Sequence, residues 1–296
     1  MTSSVRDHAL YAALLSTILV LTSCRPDTTQ SMREARARYS ARDFAGSAEI
    51  YARIVKHEPR NGEALYGLGL ARHESGDLAG AEWALARCID LVSAKSEKVD
   101  AMVRLTDLYL ARHADNPAYF EGAVKMAGLV TQWDPNLPAG HRLQGRIARI
   151  RGDRSAAAGN QNDAREFYRT SIDEYNRAAK LAPGDERVFA ELASTEEAAG
   201  DYKSARDTYK RVLAIDPHAC EPYDRLFVIE TEHGTPDAAG SALNEAVAAP
   251  GCGTAFLEQM AETCIRLNKP AWFQTVADKL EHSETSTAGR LKLGSL

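Results

Sequence analysis

The chain has 296 residues, 44% hydrophobic and 26% charged, with a formal net charge of −5. That length suits one large domain or a repeat array, and the acidic balance excludes the global basic field by which proteins collect on nucleic acid. Alanine, arginine, glutamate and leucine abound, prolines fall mostly at regular stops and β-branched runs are missing, so a mostly helical, all-α protein is predicted.

Residues 1–23 hold a polar start with Arg6, an apolar run from Ala9 to Leu21, and then Leu21-Thr22-Ser23 before Cys24. That order is a secretory signal. Its end resembles the bacterial lipobox, in which an aliphatic residue and two small ones precede a cysteine that receives diacylglycerol. The resemblance implies that Cys24 is lipidated and becomes the first mature residue. About 13 apolar residues fall short of the roughly 20 needed to span a bilayer, whereas two or three acyl chains, at about 0.8 kcal/mol per buried methylene, hold stably. Arg25 resembles the residue of lipoproteins sent on to the outer membrane in diderm bacteria. Residues 24–30 are then a lipidated tether, and the chain is expected to be exported and lipid-anchored to the cell envelope.

Beyond the tether the same punctuation recurs about every 34 residues. In the fifth unit Phe189, Leu192, Ala193 and Glu196 share one helix, Gly200-Asp201-Tyr202 makes a turn, Ala205, Tyr209 and Val212 share a second helix, and Asp216-Pro217 stops it. The second unit repeats this as Leu65, Leu68, Gly69, then Gly76-Asp77-Leu78, then Ala81, Leu85 and Cys88. Small residues sit where helices cross, glycine ends the first helix and proline the second. The pattern resembles the tetratricopeptide repeat and implies an α-α superhelical solenoid. Six units are expected near 28–61, 62–95, 98–137, 138–185, 186–219 and 220–250, followed by degenerate capping helices over 251–282 and a disordered tail over 283–296. The fourth unit carries about 14 extra residues after Gly152-Asp153, Arg154 to Phe167, read as a loop or an extension of the second helix.

In such repeats partners bind a concave wall made by one face of every first helix. Carrying that register across gives Met32, Arg36 and Tyr39; Tyr66, Leu70 and His73; Val103, Asp107 and Leu110; Arg142, Arg146 and Arg149; Arg187, Ser194 and Glu197; and Asp224, Val228 and Thr231. Arg142, Arg146 and Arg149, spaced i, i+4, i+7, share one helix face with Arg187 on the neighbouring wall position. The stripe is either a site for carboxylates or phosphate or a solvated face neutralised by neighbouring acids. Tyr39, Tyr66, Leu70 and Leu110 suggest an extended or helical peptide with apolar anchors, or plain packing between repeats. The Lys and Asn clamp with which some family members hold a C-terminal carboxylate is absent.

Cys220 and Cys252 flank the two helices of the sixth unit, where antiparallel packing brings those ends together, so a disulfide is possible. Cys88 and Cys264 read as core. Gly67-Leu68-Gly69 lies inside a repeat helix without the strand a nucleotide loop needs, and neither metal-ligand nor triad motifs occur. No catalysis, cofactor, metal or small-molecule substrate is expected. The resemblance implies instead a protein–protein interaction scaffold whose partners are other envelope proteins or peptides. The alternative is a carrier or chaperone-like factor in exopolysaccharide or pilus and secretion-system assembly, for which the Arg142 stripe would matter.

Overall fold

The computed structural model describes residues 27–114 and 116–283. The signal segment, Cys24 and the tail from 284 lie outside the described residues. Among the latter are fourteen α-helices and no strand. They fall into two compact units, one reaching to Met126 and one starting at Ala127.

The first unit contains α1 (Thr28–Ser40) with α2 (Phe44–His57), α3 (Gly62–Glu74) with α4 (Leu78–Cys88), and α5 (Lys95–Ala111) with the first part of α6 (Pro117–Trp133). The second contains the end of α6, then α7 (Pro138–Ala157) with α8 (Gln161–Leu181), α9 (Glu186–Ala198) with α10 (Tyr202–Ile215), α11 (Cys220–His233) with α12 (Pro236–Val247), and α13 (Thr254–Arg266) with α14 (Pro270–Ser283). Each unit is an α-α solenoid of successive helix pairs, the second helix of one pair packing on the first of the next at α2–α3, α4–α5, α8–α9 and α10–α11, while in the last pair α13 packs on α11 and α14 on α12.

The Gly-Asp punctuation divides its labour. Gly76 and Gly200 take φ of 84° and 81°, the left-handed turn that a side chain disfavours. The aspartate that follows caps the next helix, Asp77 accepting from the Gly80 amide and Asp201 from that of Ser204, a bond typically worth about 1 kcal/mol. In the first pair Arg42, not a glycine, occupies the left-handed position (φ 63°) before the capping Asp43.

Small residues let the paired helices touch. Ala81, Ala123, Ala205 and Ala239 are at most 1% exposed, and in two pairs a fully buried serine takes the same place. Ser47 and Ser171 there donate to the carbonyls of Ala35 and Gly145, at 2.9 and 2.8 Å, so the hydroxyl is satisfied where the helices cross.

The fourth pair departs from the expected turn. Gly152 is buried inside α7, and the turn comes at Gly159, with φ of 80°. The insertion is therefore neither a loop nor an extension of one helix: it lengthens both, to 20 and 21 residues against 13 and 14 in the next pair. Gly152 stays small because a Cβ there would lie 2.6 Å from the Tyr168 ring. The last pair closes the second unit, with Met260, Cys264, Val276 and Leu280 packed against Phe227 and Leu243.

Cys220 and Cys252 form a disulfide, their Cα atoms 5.7 Å apart, joining the start of α11 to the segment after α12. Closing a loop of 32 residues removes roughly 3–4 kcal/mol of unfolded-state freedom. Reduction by dithiothreitol should thus lower the melting temperature of the wild-type chain and leave a Cys220→Ser, Cys252→Ser variant unmoved; equal response of both would show that the bond does not support the fold. A second expectation concerns Gly152. Helix propensity alone makes Gly→Ala stabilising by about 1 kcal/mol, but the Tyr168 ring leaves no space and overpacking costs about 1–3 kcal/mol. Gly152→Ala should unfold at lower denaturant than wild type, and a gain in stability would contradict the close crossing.

Candidate partner-binding faces

In the first unit the first-helix face is built by α1, α3 and α5. Between α1 and α3 lies a cleft of about 310 Å³ lined by Arg36, Tyr39, Tyr51, Glu63, Tyr66, Leu70 and Glu97. Tyr39 stacks edge-on against Phe44, with ring centroids 5.2 Å apart. Arg36 pairs with Glu63 across the two helices. The Tyr66 hydroxyl donates to Asp100 at 2.9 Å, and Asp100 also accepts from Arg104 Nε at 2.7 Å. Burial, and then the Asp100 carboxylate, raise the Tyr66 pKa, so the hydroxyl remains a fixed donor. Tyr39, Tyr66 and Leu70 are each only partly covered: their outer edges form an amphipathic surface held in place from behind.

His73 and Asp107 are also partly buried on this face. Leu110 is not part of it. The side chain is 2% exposed, so it belongs to the core and not to the open face.

In the second unit the four arginines have partners. Arg142, Arg146 and Arg187 converge on the Glu191 carboxylate at 3.2, 3.8 and 3.4 Å. Arg142 is 4% exposed, its stem covered where α7 meets α9, and so is withdrawn from any surface stripe. Arg149 turns instead to Asp153, at 2.9 and 3.1 Å, and donates to Ser194 and Thr195. Beneath Glu191 lies Tyr175, 1% exposed, whose phenol pKa is raised well above normal by burial and then by the Glu191 charge. A neighbouring polar cleft of about 320 Å³ is lined by Arg149, Ser194, Glu197, Tyr202, Tyr209 and Arg225, with Arg225 paired to Glu197. Asp224 and Val228 are buried, and α13 covers Asp224, Thr263 and Gln259 donating to it at 3.1 and 3.3 Å.

Glu191 was missed by the reading of the wall, although the register contains it. The positions i, i+4, i+7 that select Arg142, Arg146 and Arg149 select Arg187, Glu191 and Ser194 in the next first helix. No group of three or more His, Cys, Asp or Glu residues is placed to hold a metal among the described residues. Burial pushes the Cys88 and Cys264 thiols up to about 12 and about 11, away from thiolate reactivity.

Residues 32–89 and 157–219 match the tetratricopeptide-repeat family model. Over those two stretches the chain carries tetratricopeptide repeats. Among solved structures, human IFIT1 bound to m7Gppp-AAAA is 14% identical with a TM-score of 0.60, the match covering 87% of this chain and 63% of that one. The C-terminal part of a repeat protein from Cytophaga hutchinsonii is 13% identical with a TM-score of 0.54, covering 87% and 97%. Cut9 in the APC/C Cut9–Hcn1 hetero-tetramer is 11% identical with a TM-score of 0.58, covering 79% and 42%. At such identities the likeness is one of fold. No curated protein sequence matches the chain significantly. Repeats of this family serve protein–protein interaction, typically as non-catalytic scaffolds, and the chain's partners are accordingly proteins or peptides.

Within the repeat core of the second unit Glu196 is 7% exposed, and its Oε2 has no hydrogen-bond partner among the described residues. Burial raises its pKa to about 7, opposed by a hydrogen bond from Thr208 and reinforced by Asp201 and Asp207. The unfolded chain releases this proton near 4.5 while the folded chain keeps it, so stability falls as pH rises from the unfolded to the folded value. Glu196→Gln should match wild type near pH 4 and exceed it by about 2–3 kcal/mol at pH 8, read by urea unfolding. An advantage that does not grow with pH would show that ionised Glu196 is no burden to the fold.

Proposed function

We propose that this protein is a non-catalytic adaptor of a bacterial envelope, anchored through lipid on Cys24, which binds a segment of a partner protein in the cleft of its first unit. The observation that carries the reading is the set Tyr39, Tyr66 and Leu70, half-exposed around a cleft of about 310 Å³ with Tyr66 fixed by Asp100. Partly covered tyrosines and an aliphatic side chain supply contact area at low conformational cost, as interface anchors do. An extended or helical peptide with apolar anchors fits such a groove.

The anchor reading rests on the sequence. Only a few residues separate Cys24 from α1, which begins at Thr28, so partners are expected close to the membrane surface, the outer-membrane periplasmic face in a diderm organism. The polysaccharide alternative loses its motive, because the arginines that suggested an anionic ligand are engaged by Glu191 and Asp153.

A Tyr39→Ala, Leu70→Asp variant, folded by circular dichroism, should recover its envelope partner at least tenfold less than wild type in a crosslinked pull-down, whereas Arg187→Glu should recover it normally. Unchanged recovery by the cleft variant would remove the cleft from the function. Cys24→Ala should leave the membrane fraction; its retention there would overturn the anchor.

A further inference from the structure

Opposite in character to the cleft between first helices is a groove in the first unit formed by α2, α3 and α4. It encloses about 320 Å³ and its floor is apolar: Ala52, Val55, Pro59 and Leu68. One wall is Trp83, which is 45% exposed although it is among the largest apolar side chains of the chain. The other lining residues are Lys56, Arg72 and Arg87, and no carboxylate lines the groove.

These cations are not equivalent. Arg72 is held at one end, 3.4 Å from Asp77 and donating to the Gly80 carbonyl at 3.4 Å. It reaches that carbonyl because Gly80 has no Cβ, which would come within 2.7 Å of the Arg72 Cδ. Lys56 and Arg87 are exposed and have no carboxylate partner among the described residues. Arg87 lies instead over the Trp83 ring, 5.3 Å from its centroid, a cation–π arrangement. In the second unit, by contrast, three guanidinium groups share one carboxylate. Here an apolar slot and two uncompensated cations face solvent together.

We propose that this groove is a second docking site, for an acidic segment of a partner protein that inserts one aromatic or aliphatic side chain beside Trp83 and places flanking carboxylates on Lys56 and Arg87. Charge complementarity selects the acidic segment. The slot selects the inserted side chain, since its volume lies at the low end of pockets that enclose a ligand, roughly 300–1,000 Å³. A concave floor between helices suits an inserted group better than a bilayer, which meets protruding apolar side chains. Exposed Trp beside Arg is the composition from which interface hot spots are drawn. The site does not depend on the Tyr39–Tyr66 cleft, being built from other side chains.

The test is a phage-display selection of linear peptides on the full chain, repeated on Trp83→Ala and on Lys56→Glu with Arg87→Glu. Wild type should select peptides with Asp or Glu flanking one bulky apolar residue. A synthetic decamer of that consensus should bind at least tenfold more weakly to either variant, and more weakly as salt rises. Tyr39→Ala, Leu70→Asp should bind it as wild type does, which separates this site from the cleft. A decamer whose acids are replaced by amides should lose binding likewise. The proposal is overturned if no acidic–apolar consensus emerges, or if the variants bind the decamer as tightly as wild type. It is overturned equally if Trp83→Ala abolishes only co-sedimentation with phosphatidylglycerol vesicles, or only concentration-dependent self-association, without affecting the decamer.

Discussion

The close crossing of a glycine by a tyrosine ring is the contact on which the rest of this structure depends. It recurs as Gly67 under Tyr51, Gly122 under Tyr109, Gly145 under Tyr175 and Gly152 under Tyr168, where an added Cβ would in every case come within 3 Å of the ring. Two helices can approach this far only if one contributes no side chain at the crossing, and the ring then fills the space from the other. The geometry reaches the surface through the tyrosines themselves. Tyr168 donates to Asp153 at 2.9 Å, Asp153 fixes Arg149, and Tyr175 lies beneath Glu191, to which three further arginines turn. A core contact thus sets where the charges of the exposed face stand.

That arrangement explains why an arginine-rich helix face need not be an anion site. Three guanidinium groups within 4 Å of one carboxylate satisfy part of their charge locally, and the most buried of them, Arg142, could not lose Glu191 without leaving a cation in a poorly solvated place. A ligand carboxylate arriving there would have to compete with Glu191 for the same donors. The face of the first unit is different because its ion pairs, Arg36 with Glu63 and Arg104 with Asp100, involve the rim and the backing of the cleft, leaving the edges of Tyr39, Tyr66 and Leu70 uncommitted.

Much of the fold was legible in the residues because its determinants are local. Left-handed turns at Gly76 and Gly200, capping by the following aspartate, and buried small residues at Ala81 and Ala205 all leave a signature within one repeat. Which wall positions are open was less legible, because that depends on neighbours far along the chain. Asp224 is covered by Thr263 and Gln259 from α13, and Arg142 pairs with Glu191 from α9. Spacing within one helix shows which residues share a face; what packs on that face is a tertiary fact. Trp83 escaped the same reading for a related reason, since it lies on a second helix, outside the wall on which the family's partners bind.

The fourth pair shows how a misread motif and a preserved architecture come from the same cause. Gly152-Asp153 looks like the turn of a repeat, yet the helix runs on to Ala157. Seven residues separate Gly145 from Gly152 on α7, and seven separate Tyr168 from Tyr175 on α8. Antiparallel helices lengthened by seven residues each advance by nearly two turns, about 7.2 residues, so the second crossing repeats the first with a drift of only ~20°. Ala164 and Ser171, both buried and small, carry the same displacement on α8. Half that insertion placed in one helix alone would have left Gly152 facing no ring. An extension that adds one further crossing to a pair, equally on both partners, is the form of growth that keeps its packing, and it places Asp153 beside Arg149 on the exposed face rather than at the cap of a turn.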